Sequence, residues 1–113
     1  MNRELKFRIY SFLDKSFIYF DIYNYPSGIA GGVSESQQYT GLKDKNRVEI
    51  YEGDIVFGFG DTSNSSGNYE VEITPFGVQF SRKLKSGHTM KRSLLEYIII
   101  GNIFENLELL QKT

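Results

Sequence analysis

The chain has 113 residues, enough for one hydrophobic core, and its 13 basic against 14 acidic residues leave a net charge of −1, which argues against a blanket binder of polyanions or membrane surfaces. With no cysteine and one histidine, it has no disulfide, no thiolate chemistry and no multi-histidine zinc site. Nine Phe and eight Tyr without any Trp suit half-buried pleated surfaces and predict strands.

In chain order, Leu5, Phe7 and Ile9 alternate with Lys6, Arg8 and Tyr10, the two-residue period of a strand with one wet face. A turn at Asp14-Lys15 leads into an aromatic and β-branched block over 17–23, which completes an N-terminal hairpin. Residues 24–36 carry Pro, Gly and Ser with scattered apolar positions and predict a loop. A brief strand over 37–42, a polar turn at 43–47 and strands at 55–59 and 69–74 follow, the last two separated by the loop-like 61–68. Phe76, Val78 and Phe80 alternate around Gly77, and the β-branched run from 97 predicts a strand buried on both faces or closing a barrel. Asn106 is a candidate N-cap for a short helix over 107–111, with Leu107 and Leu110 docked on the sheet. The first fifteen residues are charged every two or three positions and lack a signal-peptide core. The longest apolar runs fall far short of the roughly 20 residues of a membrane-spanning helix. A cytoplasmic protein without a membrane partner is the expectation.

Four segments carry a family likeness: LKFRIYSFLDK at 5–15, QYTGLKDKN at 38–46, EIYEGDIV at 49–56 and IGNIFENLELL at 100–110. Together they resemble the YopX family of phage and prophage proteins. The resemblance implies one domain over 1–113, mainly β, with a small SH3-like, partly open barrel, an N-terminal hairpin and a short C-terminal helix. It transfers no catalytic role, because the family has no assigned reaction. Its motif positions here, Tyr39, Thr40, Gly41, Leu42, Asp44, Tyr51, Gly53 and Asp54, read as structural. This chain has Arg47 where the family usually has Gly, and Asn106-Leu107-Glu108 where it often has Asn-Pro-Glu.

The candidate chemistry is sparse. Gly53 and Asp54 suit a turn that starts a strand, with the Asp54 carboxylate accepting an N–H two residues on. The rival is a carboxylate site of Glu49, Glu52 and Asp54, which would need burial or a third partner. Residues 61–72 have the length of an EF-hand loop, but Ser66 stands where the sharp turn needs Gly. Asn64 opens a glycosylation sequon without meaning in the cytoplasm. No nucleophile elbow, phosphate loop or dinucleotide fingerprint occurs, and no cofactor or metal is predicted.

Charge is sorted along the chain: 48–81 carries six acids and no base, whereas 82–92 carries Arg82, Lys83, Lys85, Lys91 and Arg92 and no acid, with His88 at a hairpin tip. Those residues form the candidate basic surface. The reading is a non-catalytic binding or assembly module working through protein–protein contacts, with a partner or a second copy of itself. The alternative is a nucleic-acid-binding β-module using 82–92, and third stands an enzyme with the carboxylate site.

Overall fold

The computed structural model describes residues 5–27, 31–60, 66–83, 89–92, 94 and 96–110; for 83 and 89–92 it describes the backbone alone. The strands are β1 (Lys6–Ser11), β2 (Ser16–Asp21), β3 (Gln37–Lys43), β4 (Glu49–Tyr51), β5 (Asp54–Phe59), β6 (Gly67–Thr74), β7 (Gly77–Lys83), β8 (Thr89–Arg92) and β9 (Glu96–Asn102). They form two antiparallel sheets, ordered β2-β1-β3-β4 and β8-β7-β6-β5-β9, one of them curled into a half-barrel.

The N-terminal hairpin runs in unbroken register from Lys6 opposite Asp21 to Ser11 opposite Ser16. Its turn is closed by Ser11, whose hydroxyl accepts the Asp14 N–H at 3.2 Å and whose carbonyl accepts that of Lys15 at 2.7 Å. β2 stops two residues before the sequence pattern does. Asp21 Oδ1 accepts the Tyr23 N–H and the Asn24 amide at 2.9 and 2.7 Å, which diverts that backbone from the ladder. Part of the predicted loop also docks: the Ser34 N–H donates to Tyr10 and the Phe12 N–H to Gly32.

Three expectations are corrected. Arg8 and Tyr10, placed on the wet face of β1, are each 4% exposed, because β1 is an inner strand and later elements cover that face; Tyr10, for one, stacks on Phe104 at 4.9 Å. Phe76 belongs to no strand: Thr74 pairs with Gly77, and Pro75-Phe76 makes a two-residue turn pinned by Thr74 Oγ1, leaving the ring 94% exposed. β9 is an outer strand, half-buried instead of sealed on both faces. At the C-terminus the expected helix is a single 3-10 turn, Leu107–Leu110, with Leu107 exposed. Asn106 spends its side chain on the Asn102 N–H behind it, and Asn68 of β6 holds the turn by donating to the Leu109 carbonyl at 3.0 Å.

The core is Ile50, Val56, Tyr69, Val71 and Phe80, flanked by half-buried Leu42, Val78, Leu94, Tyr97 and Ile99. Each fully buried aliphatic side chain contributes roughly 1.5–3 kcal/mol. Asp44 joins the two sheets beside it. One carboxylate oxygen accepts the N–H groups of Asn46 and Val48 at 2.8 and 2.9 Å, closing the 43–47 turn. The other accepts the Ile99 N–H of β9 at 3.0 Å, and the Lys45 N–H donates to Tyr97 alongside. Burial alone would raise the Asp44 carboxyl, but the backbone donors of Ile99, Val48 and Asn46 hold it below the ordinary range. Arg47 completes this turn at φ 67°, a left-handed conformation that glycine adopts freely.

Two outcomes follow. Arg47→Gly removes left-handed strain, partly offset by glycine's greater freedom when unfolded, and raises stability by up to about 1 kcal/mol in urea denaturation; a fall would contradict the assigned φ. Asp44→Asn lowers stability at neutral pH by about 1–3 kcal/mol. A depressed folded pKa stabilises above the unfolded value, so the gap between variant and parent closes as pH falls below about 4.

Candidate functional site: two clefts around the Gly53 corner

Between β4 and β5 the chain reverses through Glu52-Gly53. Gly53 lies at φ 87°, and a Cβ there would stand 2.1 Å from Gln37 Nε2, so the corner demands glycine on two grounds. The corner is bonded outward on three sides: Glu52 N–H to Gln38 of β3, Gly53 N–H to Val71 of β6, and Ile103 N–H to the Gly53 carbonyl, each at 2.9 Å.

This reversal sends the three carboxylates of the stretch in different directions. Glu49 pairs with Lys6 Nζ. Glu52 Oε1 accepts the Gln38 N–H at 3.4 Å. Asp54 is buried, and both of its oxygens are engaged at 2.8 Å, Oδ2 by the Tyr51 N–H and Oδ1 by Arg8 Nη2. The N–H it takes therefore lies three residues back, not two residues on. Burial pushes the Asp54 carboxyl up, while the Arg8 charge and the Tyr51 N–H pull it down.

Arg8 is the residue that sequence reasoning missed. Its side chain is 4% exposed; Nε donates to Gln37 Oε1 at 2.8 Å and Nη2 reaches the Glu52 carbonyl at 3.4 Å as well as Asp54. The guanidinium carbon lies 3.9 Å from the Phe17 ring centroid and 4.9 Å from that of Tyr51, so aromatic rings flank the cation. Nothing in the spacing announces this, because the pair is 46 residues apart.

The other motif residues serve the same frame. Thr40 Oγ1 donates to the Ile50 carbonyl at 2.7 Å and accepts the Leu42 N–H at 3.1 Å. Gly41 takes φ 88°, Leu42 packs on the core, and the rings of Tyr39 and Tyr51 lie 5.5 Å apart.

A cleft opens on each side of the corner. The larger, about 660 Å³, lies against β6 and is lined by Glu35, Glu52, Glu70 and Glu72 with apolar walls such as Phe12 and Ile103, and by no Lys or Arg. Glu70 is pushed up by its burial, then by the charges of Glu72 and Glu52. The smaller, about 400 Å³, lies between the first sheet and β9; Arg8 and Asp54 line it together with Phe17, Tyr19, Tyr51 and Ile99. Among the described residues no group of three or more His, Cys, Asp or Glu is arranged to hold a metal ion.

Of the basic surface, β7 and β8 form the hairpin backbone, with Phe80 opposite Arg92, Ser81 opposite Lys91, Arg82 opposite Met90 and Lys83 opposite Thr89. Arg82 folds back on its own sheet, donating to the Ser66 carbonyl at 3.1 Å with its guanidinium 5.2 Å from the Tyr69 centroid. Lys85 and His88, and the side chains of Lys83, Lys91 and Arg92, lie outside the described residues.

Arg8→Met strands a buried carboxylate and lowers stability by about 3–5 kcal/mol, whereas Arg8→Met with Asp54→Leu recovers part of that loss, less the bond to Tyr51. Urea denaturation of the three proteins reads it, and a double variant weaker than Arg8→Met would refute the pairing.

Among solved structures, that of protein EF1440 from Enterococcus faecalis is similar in fold, with a TM-score of 0.54 and 22% identity over 93% of this chain and 96% of that one. No curated protein matches the chain. The family model described as YopX protein matches residues 6–111, nearly the whole length, and the chain belongs to the YopX family.

Proposed function

We propose that this chain is a phage- or prophage-encoded, non-catalytic assembly module of the cytoplasm, built on an SH3-like half-barrel and acting through protein–protein contacts, with a second copy as its first partner. The observation that carries the reading is the larger cleft: four glutamates and no base line an open concavity, on a chain in which 82–92 holds five bases and no acid. The basic hairpin of one copy complements the acidic cleft of another, and such a contact is steered by charge and weakened by salt. The absence of catalysis is inferred from the carboxylates: Asp54 has both oxygens committed to the frame, Glu49 is ion-paired, and Glu52 belongs to the other cleft. Nucleic acid ranks behind, because Arg82 is turned onto Ser66 and Tyr69.

Sedimentation of the chain tests this, with association expected at low ionic strength and dissociation at high. Glu70→Gln with Glu72→Gln weakens association about tenfold. Stability holds or rises, because a carboxyl whose folded pKa is raised loses its contribution as pH climbs, and the amide removes that penalty at neutral pH. A monomer at every salt concentration overturns the proposal.

A further inference from the structure

The smaller cleft contains a donor that the frame does not use. Arg8 makes three hydrogen bonds, one through Nε and two through Nη2, and among the described residues none through Nη1. Among the described residues Nη1 is not one of the side-chain polar atoms both sealed from solvent and unbonded, so it is not sealed away, and Arg8 lines the cleft. The side chain is 4% exposed and belongs to the cleft lining, which leaves Nη1 as the one nitrogen of a cleft-lining guanidinium without a bond to the frame. Asp54 and Gln37 grip its other edges and the rings of Phe17 and Tyr51 flank it, so the donor direction is set before any ligand arrives. Preorganisation of that kind lowers the entropy lost on binding.

Charge selects the class of ligand. The cleft lining holds Arg8 against Asp54 and Glu49, and Glu49 is neutralised by Lys6. The site therefore carries no net positive charge to draw a phosphate or carboxylate. An entering ammonium would face the guanidinium. What remains compatible is an uncharged acceptor with apolar flanks, held by Tyr19, Tyr51 and Ile99 on the walls. We infer that Arg8 Nη1, at the floor of the aromatic cleft between β2 and β9, receives a main-chain carbonyl of an uncharged, apolar segment of a partner protein. A nucleotide fits less well, because its phosphates would find two carboxylates and no second cation in the lining. This site refines the protein–protein reading above and rests on it, yet it is separate from the acidic cleft.

The test is a titration of the isotopically labelled chain, followed by amide chemical shifts, with four probes: acetyl-Ala-Leu-Ala-amide, acetyl-Ala-Pro-Ala-amide, sodium acetate and uridine 5′-monophosphate. One or both neutral peptides are expected to shift Tyr19, Tyr51, Gly101 and Asn102 saturably and to leave Glu70 and Glu72 still. Tyr19 is 58% exposed, so Tyr19→Ala tolerates removal of the ring and should weaken peptide binding about tenfold, as loss of an aromatic anchor does. Arg8→Lys, which keeps the charge but loses the planar fork, should weaken it likewise if it folds. No saturable shift from either peptide at these residues, binding unchanged in Tyr19→Ala, or equal or tighter binding of acetate or the nucleotide overturns the inference. Salt-sensitive self-association in sedimentation alongside a silent titration would sink this site alone, whereas loss of association with an intact titration would sink the two-copy reading alone.

Discussion

The buried pair of Arg8 and Asp54 is the constraint on which the rest of the molecule depends. Asp54 opens β5 and Arg8 sits on an inner strand of the other sheet, so their 2.8 Å contact locks one sheet to the other at a single register. Taking either charge out of water costs several kcal/mol per ion, which an ideal geometry with every oxygen partnered offsets. The Tyr51 N–H on Oδ2 and Gln37 on Nε supply that completion. Gln37 is in turn the side chain that fills the space over Gly53. The adjacent Gly53 and Asp54 and the distant Gln37 and Arg8 are thus one packing unit, and a larger residue at the corner would displace the glutamine that steadies the arginine.

That unit also explains why the carboxylates of the corner do not converge. A strand running straight through Glu52 to Asp54 would present both on one face, since residues two apart share a side. The left-handed glycine between them breaks that geometry, and one acid lines the acidic cleft while the other lines the aromatic one. A structural demand at one backbone position therefore gives the molecule two concave surfaces of opposite chemical character, separated by a two-residue turn.

Much of the architecture was legible because it rests on local rules. The hairpin of β1 and β2 followed from alternation and a polar turn, and the Gly53 corner from backbone freedom, although the Asp54 carboxylate takes the N–H of Tyr51 behind it and not one two residues on. The likeness in four short motifs pointed to the family. What failed were judgements of burial. Arg8 and Tyr10 read as solvated because period two tells only that one face differs from the other; whether a second layer covers that face is decided by elements about 40 to 100 residues further on, Asp54 and Phe104 among them. Phe76 was drawn into a strand by its neighbours' apolar rhythm, although Pro75 before it forbids a ladder donor. The β-branched run of β9 read as a strand buried on both faces or closing a barrel; it is an outer strand, and its free edge is met by the turn at Asp44 and Lys45, whose contacts to Ile99 and Tyr97 cover strand groups that would otherwise invite pairing with another chain. Arg47 is the converse case: a departure from the family pattern in sequence that the backbone treats as a glycine position all the same.

The arginine itself poses the last physical question, because a buried ion pair is a poor way to gain stability. Apolar side chains of similar volume would fill the space between Phe17 and Tyr51 at less cost in desolvation. What they could not do is aim. A guanidinium has a rigid planar fork of donors, and this one has two nitrogens bound to the frame and two aromatic ring centroids 3.9 and 4.9 Å from its carbon. Its plane is therefore determined to within the tolerance of those contacts, and so is the direction of the remaining edge. An apolar replacement would keep the sheets together but leave their register to shape alone, and it would leave the cleft floor without a donor. The cost of burying the charge is thus matched by two geometric returns, one inward to the fold and one outward to the cavity, and the same rigid plane delivers both.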